Sequence, residues 1–132
     1  MLGWTPSLAV GIDEIDDQHK EWFRRAGAFL DGLEHRTPQD IEQLLVYLRR
    51  YSVIHFGVEE GWMRAFHYPR FHAHKAQHER FLRDLEKLSA DHKARGLEPM
   101  RVGSWLGRWM ADHVSMTDVQ LAEFLMTKRQ SA

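Results

Sequence analysis

Apolar residues recur along this 132-residue chain at the spacing of a helix, about 3.6 residues, in four blocks, and no alternating strand-like block interrupts them. The pattern predicts an all-α chain. In the first block Ile15, His19, Trp22, Phe23, Ala26, Phe29, Leu30 and Leu33 make one stripe, and the acidic run Asp13, Glu14, Asp16 and Asp17 before it suits a helix start. Thr37 is placed as an N-cap with Pro38 in the first turn, where its missing N–H costs nothing. The second block runs from Ile41 through Leu44, Leu48, His55, Glu59 and Met63, and should stop near His67, because Pro69 disfavours helical geometry at Tyr68. Phe71, His74, His78, Phe81, Leu85 and Leu88 form the third, ending before Gly96 and Pro99.

The fourth block, Val102 to His113, continues less regularly. His113 and Asp118 are five apart, which on an ideal α-helix leaves them roughly 140° out of alignment. Thr117 with Gln120 matches a capping box, and Leu121 and Leu125 follow, so a break is expected near Ser115 to Thr117 with a short final helix after it. Four helices joined by short loops imply an up-down-up-down four-helix bundle. A single domain over 1–132 is expected: an N-terminal arm over 1–14, docked by Trp4 and Ile12, the bundle over 15–116, and a short C-terminal helix and tail over 117–132.

Composition narrows the partners. Eighteen basic residues against nineteen acidic leave a formal charge of −1, which gives no electrostatic case for nucleic acid or an anionic membrane. The absence of cysteine removes disulfides, thiolate metal sites and cysteine nucleophiles together. The amino end lacks a signal-peptide pattern, and no apolar run is long enough to span a bilayer, so a cytoplasmic protein is expected.

Candidate chemistry lies on the apolar stripes themselves. His19, the pair His55 and Glu59, the pair His74 and His78, and the pair His113 and Asp118 all belong to core-facing blocks. Partners four apart sit one turn above each other, so each such pair can aim at one point. A lone buried histidine is usually a hydrogen-bonded core residue. Five imidazoles and two carboxylates in one bundle core are different, because each unpaired buried charge costs on the order of several kcal/mol. Metal accounts for the whole set.

Imidazole with carboxylate suits iron, zinc, copper or nickel, whereas calcium and magnesium want mainly oxygen. Seven ligands are too many for one tetrahedral zinc. Two octahedral ions offer twelve positions; five histidines, two bridging carboxylates and one bridging oxide or hydroxide fill eleven. One position stays open, where a small ligand could take electrons from a redox metal. Iron is the leading candidate.

These residues carry a resemblance. With Gly11-Ile12-Asp13, Asp17-Gln18-His19, His55-Phe56, Glu59-Glu60, Met63, Tyr68-Pro69, His74, His78, and Trp109 leading to His113 and Asp118, the chain resembles the hemerythrin family, in particular its single-domain bacterial members, over nearly its whole length. The resemblance implies two non-haem iron ions with a bridging oxo or hydroxo group, binding O2 reversibly for oxygen transport, storage or supply. It implies that His74, His78 and His113 hold one iron, that His19 and His55 hold the other, with the vacancy, and that Glu59 and Asp118 bridge. The resemblance also implies NO and azide as small ligands that could take the same position.

Family likeness further points to Trp22, Phe56, Trp109, Met110 and Val114 as an apolar lining of the open position, although core packing explains them equally well. Trp22 is larger, and Val114 smaller, than the residues usual there. Glu60 reads as a surface residue or a support to a ligand, and His35, His67, His72 and His92 as surface residues. No catalytic residue is expected. The alternatives are oxygen or redox sensing through a separate partner, and a di-iron oxidase, peroxidase or NO-consuming enzyme. The imidazole-rich ligand set weighs against the enzyme, since the resemblance implies that di-iron oxygenases use more carboxylates.

Overall fold

The structure, a computed structural model, describes residues 4–131, with the backbone alone for 129–131. Helix α1 spans Asp13–Leu30, α2 Pro38–Ala65, α3 Phe71–Arg95, α4 Pro99–Trp109 and α5 Asp118–Ser131. A π-helical segment, Met110–Thr117, joins α4 to α5 without interruption, so the three make one rod. Short 3-10 turns occupy Pro6–Leu8 and Leu33–His35.

Local chemistry accounts for the helix ends. Thr37 accepts from the backbone of Asp40 while the Asp40 carboxylate accepts from the backbone of Thr37, a reciprocal cap that closes the start of α2. At the other end His67 adopts φ 54°, and the Tyr68 N–H reaches back to the Met63 carbonyl at 2.8 Å. This left-handed turn brings Tyr68 into the core beside Phe124, with ring centroids 5.0 Å apart. Gly96, at φ 74°, ends α3 in a conformation that side chains with a β-carbon rarely adopt.

Two apolar clusters fill the bundle, and each rod passes through both. One holds Val10, Ile12, Ile15, Met63, Tyr68, Leu121 and Leu125; the other holds Trp22, Phe23, Leu48, Phe56, Phe81, Leu85, Leu106 and Met110 with their neighbours. Along α1 the chain goes from the first cluster to the second, along α2 it returns, α3 goes out again, and the last rod comes back. That alternation is the up-down-up-down four-helix bundle, with the seven polar residues forming a band between the two clusters.

The last rod departs from the expected break. Thr117 does not cap a new helix: its hydroxyl donates to Gln77 Oε1 at 3.0 Å, and Gln120 Oε1 accepts from Arg70 at 2.7 Å. The Asp118 N–H instead reaches the carbonyl of His113, five residues back. A π turn closes at i→i+5, so it cancels the angular offset that an α-helix would leave between these two residues. The irregularity lies in the hydrogen-bond register, which widens while the helix continues.

The arm before α1 is held from within. Asp16 is buried, and its carboxylate accepts from the backbone N–H groups of Val10 at 2.8 Å and Gly11 at 3.3 Å. Trp4 packs against the second cluster, with Lys20 Nζ 4.6 Å above its ring. Replacing Asp16 by Ala leaves a buried donor unpaired, so Asp16→Ala is expected to cost about 1–3 kcal/mol in urea unfolding. Asp17→Ala, at an exposed site in the same acidic run, is expected to stay within about 0.5 kcal/mol; equal effects would contradict this role for Asp16.

Candidate metal centre

All four rods contribute to the polar band. His19 comes from α1, His55 and Glu59 from α2, His74 and His78 from α3, His113 from the π segment, and Asp118 from the first residue of α5. Each is buried, and Glu59 is wholly so. Glu59 Oε1 faces His74 Nε2 at 3.3 Å and His78 Nε2 at 3.0 Å, and Asp118 Oδ1 faces His74 and His113 Nε2 at 3.1 Å each. The second oxygens turn the other way. Glu59 Oε2 lies 3.0 Å from His55 Nε2 and 3.2 Å from His19 Nε2, and Asp118 Oδ2 lies 3.3 Å from His19 Nε2.

The five imidazoles therefore divide three and two across a pair of carboxylates, each carboxylate giving one oxygen to each side. Donor atoms of Glu59, His74, His78, His113 and Asp118 lie within 4.8 Å of one another, as do those of His19, His55 and Glu59. Both carboxylate groups and the Nε2 atoms of His19, His74, His78 and His113 are buried without a hydrogen-bond partner. Lone pairs converge on two adjacent points with nothing between them to share. Metal ions would satisfy that donor set.

Electrostatics of the metal-free chain agree. Burial pushes the Glu59 and Asp118 carboxyls up, yet the surrounding imidazoles, His55 foremost for Glu59 and His113 for Asp118, hold both well below the usual carboxylate range. Burial pushes His19 and His74 down, but the Asp118 and Glu59 carboxylates outweigh it and raise them to about 10 and about 9. At His113 burial prevails and the pKa falls. The carboxylates thus favour protons on His19 and His74, and entering cations must displace them.

A set of acceptors aims the rings. His55 Nδ1 donates to Gln18 Oε1 at 2.7 Å, His78 Nδ1 to Glu60 Oε2 at 3.0 Å, and His113 Nδ1 to Gln77 Oε1 at 2.7 Å. Those oxygens only accept, so each Nδ1 carries the proton and each Nε2 keeps its lone pair for the centre. Sequence reasoning left Glu60 open and missed Gln18 and Gln77. A signal was present: Gln18, Glu60 and Gln77 each adjoin one of the seven polar residues in sequence, but each supports a ring on another helix.

The proposed pocket residues are all in the second apolar cluster or against it. Phe56 stacks on His78 with centroids 3.9 Å apart, and Trp109 stacks on His113 at 4.1 Å. Both thus cover the three-imidazole side. Trp22, Met110 and Val114 are buried in the same cluster. Of the four remaining histidines, His35, His67 and His72 are exposed, but His92 is not a free surface residue. Its Nε2 donates to the Pro38 carbonyl at 2.9 Å and its Nδ1 accepts from the Leu97 N–H at 3.1 Å, pinning the end of α3 to the start of α2.

The family model described as the hemerythrin HHE cation binding domain matches residues 10–125. The chain belongs to the hemerythrin family. It is 30% identical over 115 residues to a hemerythrin of Phascolopsis gouldii, covering 87% of this chain and 85% of that one. A bacteriohemerythrin of Pseudomonas aeruginosa is 28% identical over 117 residues, 89% of this chain and 76% of the relative. A solved hemerythrin point mutant superposes with a TM-score of 0.83 at 26% identity, covering 95% of this chain and 97% of the other. Among the described residues no helix is long and apolar enough to cross a membrane.

Gln77 joins two elements of the site, since its side-chain oxygen accepts from both His113 and Thr117. Gln77→Ala is expected to weaken metal binding by roughly 10- to 100-fold, read by competition with a chelator, while the far-ultraviolet circular dichroism of the metal-free chain stays unchanged. Undiminished affinity would show that the aim of His113 does not depend on this bond.

Proposed function

We propose that this hemerythrin-family chain binds O2 reversibly at two non-haem iron ions, serving oxygen transport, storage or supply. The observation that carries the reading is the three-and-two division of imidazoles about two shared carboxylates. His74, His78 and His113 hold one ion, His19 and His55 hold the other, and Glu59 and Asp118 bridge them. With an oxo or hydroxo group also bridging, this donor set would leave one position open on the two-imidazole side. Iron supplies there the reversible one-electron chemistry that zinc lacks.

The residues of the chain do the rest. Gln18, Glu60 and Gln77 take the Nδ1 protons, so that in the neutral rings Nε2 carries the lone pair toward the centre. Phe56 and Trp109 cover the rings of His78 and His113, and Trp22, Met110 and Val114 add apolar bulk that excludes water. Such a lining would keep water and protons away from the open position. Nothing in the band places a protein acid or base that is free to turn over a substrate, which supports binding over catalysis.

Metal analysis and the visible spectrum test this together. About two irons per chain are expected, with a band that fades on deoxygenation and returns unchanged through repeated cycles. Steady consumption of a reductant, or a single zinc per chain, would contradict the reading. Trp22→Leu tests the lining: removing an indole from a close-packed interior opens space, so oxygen affinity and the autoxidation rate are both expected to change. If neither moves, Trp22 is packing alone.

A further inference from the structure

Between α3 and the last rod a surface groove of about 490 Å3 reaches inward to Gln77 and His113. Its volume is that of a small-molecule site. Three aromatic rings form its wall: Phe81 lies 4.8 Å from Trp105 at 21° and 4.5 Å from Trp109, and Trp109 is in turn stacked on His113 at 9°. Its charged lining is Asp84 and Asp112 with Arg80 and Arg108. Neither guanidinium forms an ion pair with the aspartate one turn on, Asp84 or Asp112, nor with any other described carboxylate. An aromatic wall beside two uncommitted guanidinium groups fits a flat ring that carries an anionic group.

We propose that this groove binds a planar anionic electron donor of the flavin mononucleotide class, and that Trp109 passes its electrons through His113 to the metal pair. Binding itself stands on the groove alone; the electron transfer rests on the di-iron reading. A centre that lends electrons to O2 is stranded in the ferric state whenever the ligand departs with them, and needs a donor to restore it. A dihydroflavin gives two electrons singly, as two iron ions require, whereas a hydride donor gives a pair. The reduced flavin becomes oxidised flavin, two ferric ions become ferrous, and the two protons pass to solvent. The stacked indole and imidazole offer the shortest aromatic contact from the groove to the centre.

The test titrates FMN into the full chain, metal-free and iron-loaded, following quenching of flavin fluorescence. Binding with a Kd on the order of tens of micromolar is expected in both. Riboflavin, which lacks the phosphate, and the variants Trp105→Ala and Arg108→Glu should each weaken it by roughly tenfold or more, with circular dichroism confirming that the variants fold. No saturable binding to the metal-free chain, or binding that ignores these changes, overturns the site. In the second arm, photoreduced FMN restores the oxidised iron-loaded protein without air, and its rate is divided by that of dithionite, which needs no groove. The ratio should fall about tenfold in both variants; an unchanged ratio overturns the electron path. A chain that holds no iron pair would sink the proposed function, while FMN binding to the metal-free chain would still decide the site.

Discussion

The structure turns on two carboxylates buried in a bundle core among five imidazoles. Glu59 and Asp118 are 0% and 2% exposed, and each faces imidazole nitrogens on both sides. Ionised carboxylates in such surroundings carry a large desolvation penalty, and a domain of this size has only about 5–15 kcal/mol of net stability. Raised basicity at His19 and His74 offsets part of that charge in the metal-free chain, while Nε2 of His78 and of His113 is buried without a hydrogen-bond partner. Cations resolve both problems at once. The bundle is arranged around this need, with an apolar cluster at either end of the polar band and every rod crossing it.

Much of that arrangement is legible in the chain. Helical spacing puts His55 with Glu59, and His74 with His78, one turn apart on a core-facing stripe, so the fold and the convergence of these residues follow from one pattern. Thr37 and Pro38 mark the start of α2 by their own local chemistry. The π segment is not legible as such. A five-residue gap between His113 and Asp118 signals a fault in the α-helical register, but Thr117 and Gln120 spell a capping box equally well. What decides between them is tertiary: Gln77 on α3 takes the Thr117 hydroxyl, Arg70 takes the Gln120 side chain, and the cap loses both members.

The supporting residues escape for the same reason. Gln18 and Gln77 sit beside His19 and His78 in sequence, yet they hold His55 and His113 on neighbouring helices, and no single-helix pattern encodes a partner across the bundle. His92 is similar, since an isolated histidine near a helix end reads as surface until the Pro38 carbonyl and the Leu97 N–H are seen around it. Pocket residues pose a different difficulty. Phe56 and Trp109 belong to or pack on the core cluster and also stack on the rings of His78 and His113, so packing and a role at the centre leave one signature in the sequence.

The central claim is that two ions sit side by side, divided by the two carboxylates. Anomalous diffraction at the iron edge from crystals of the iron-loaded protein tests it most directly. Two peaks are expected, one ringed by Nε2 of His74, His78 and His113 and the other by Nε2 of His19 and His55, with Glu59 and Asp118 each giving one oxygen to both. A single peak, or a carboxylate bound to one ion alone, would contradict it.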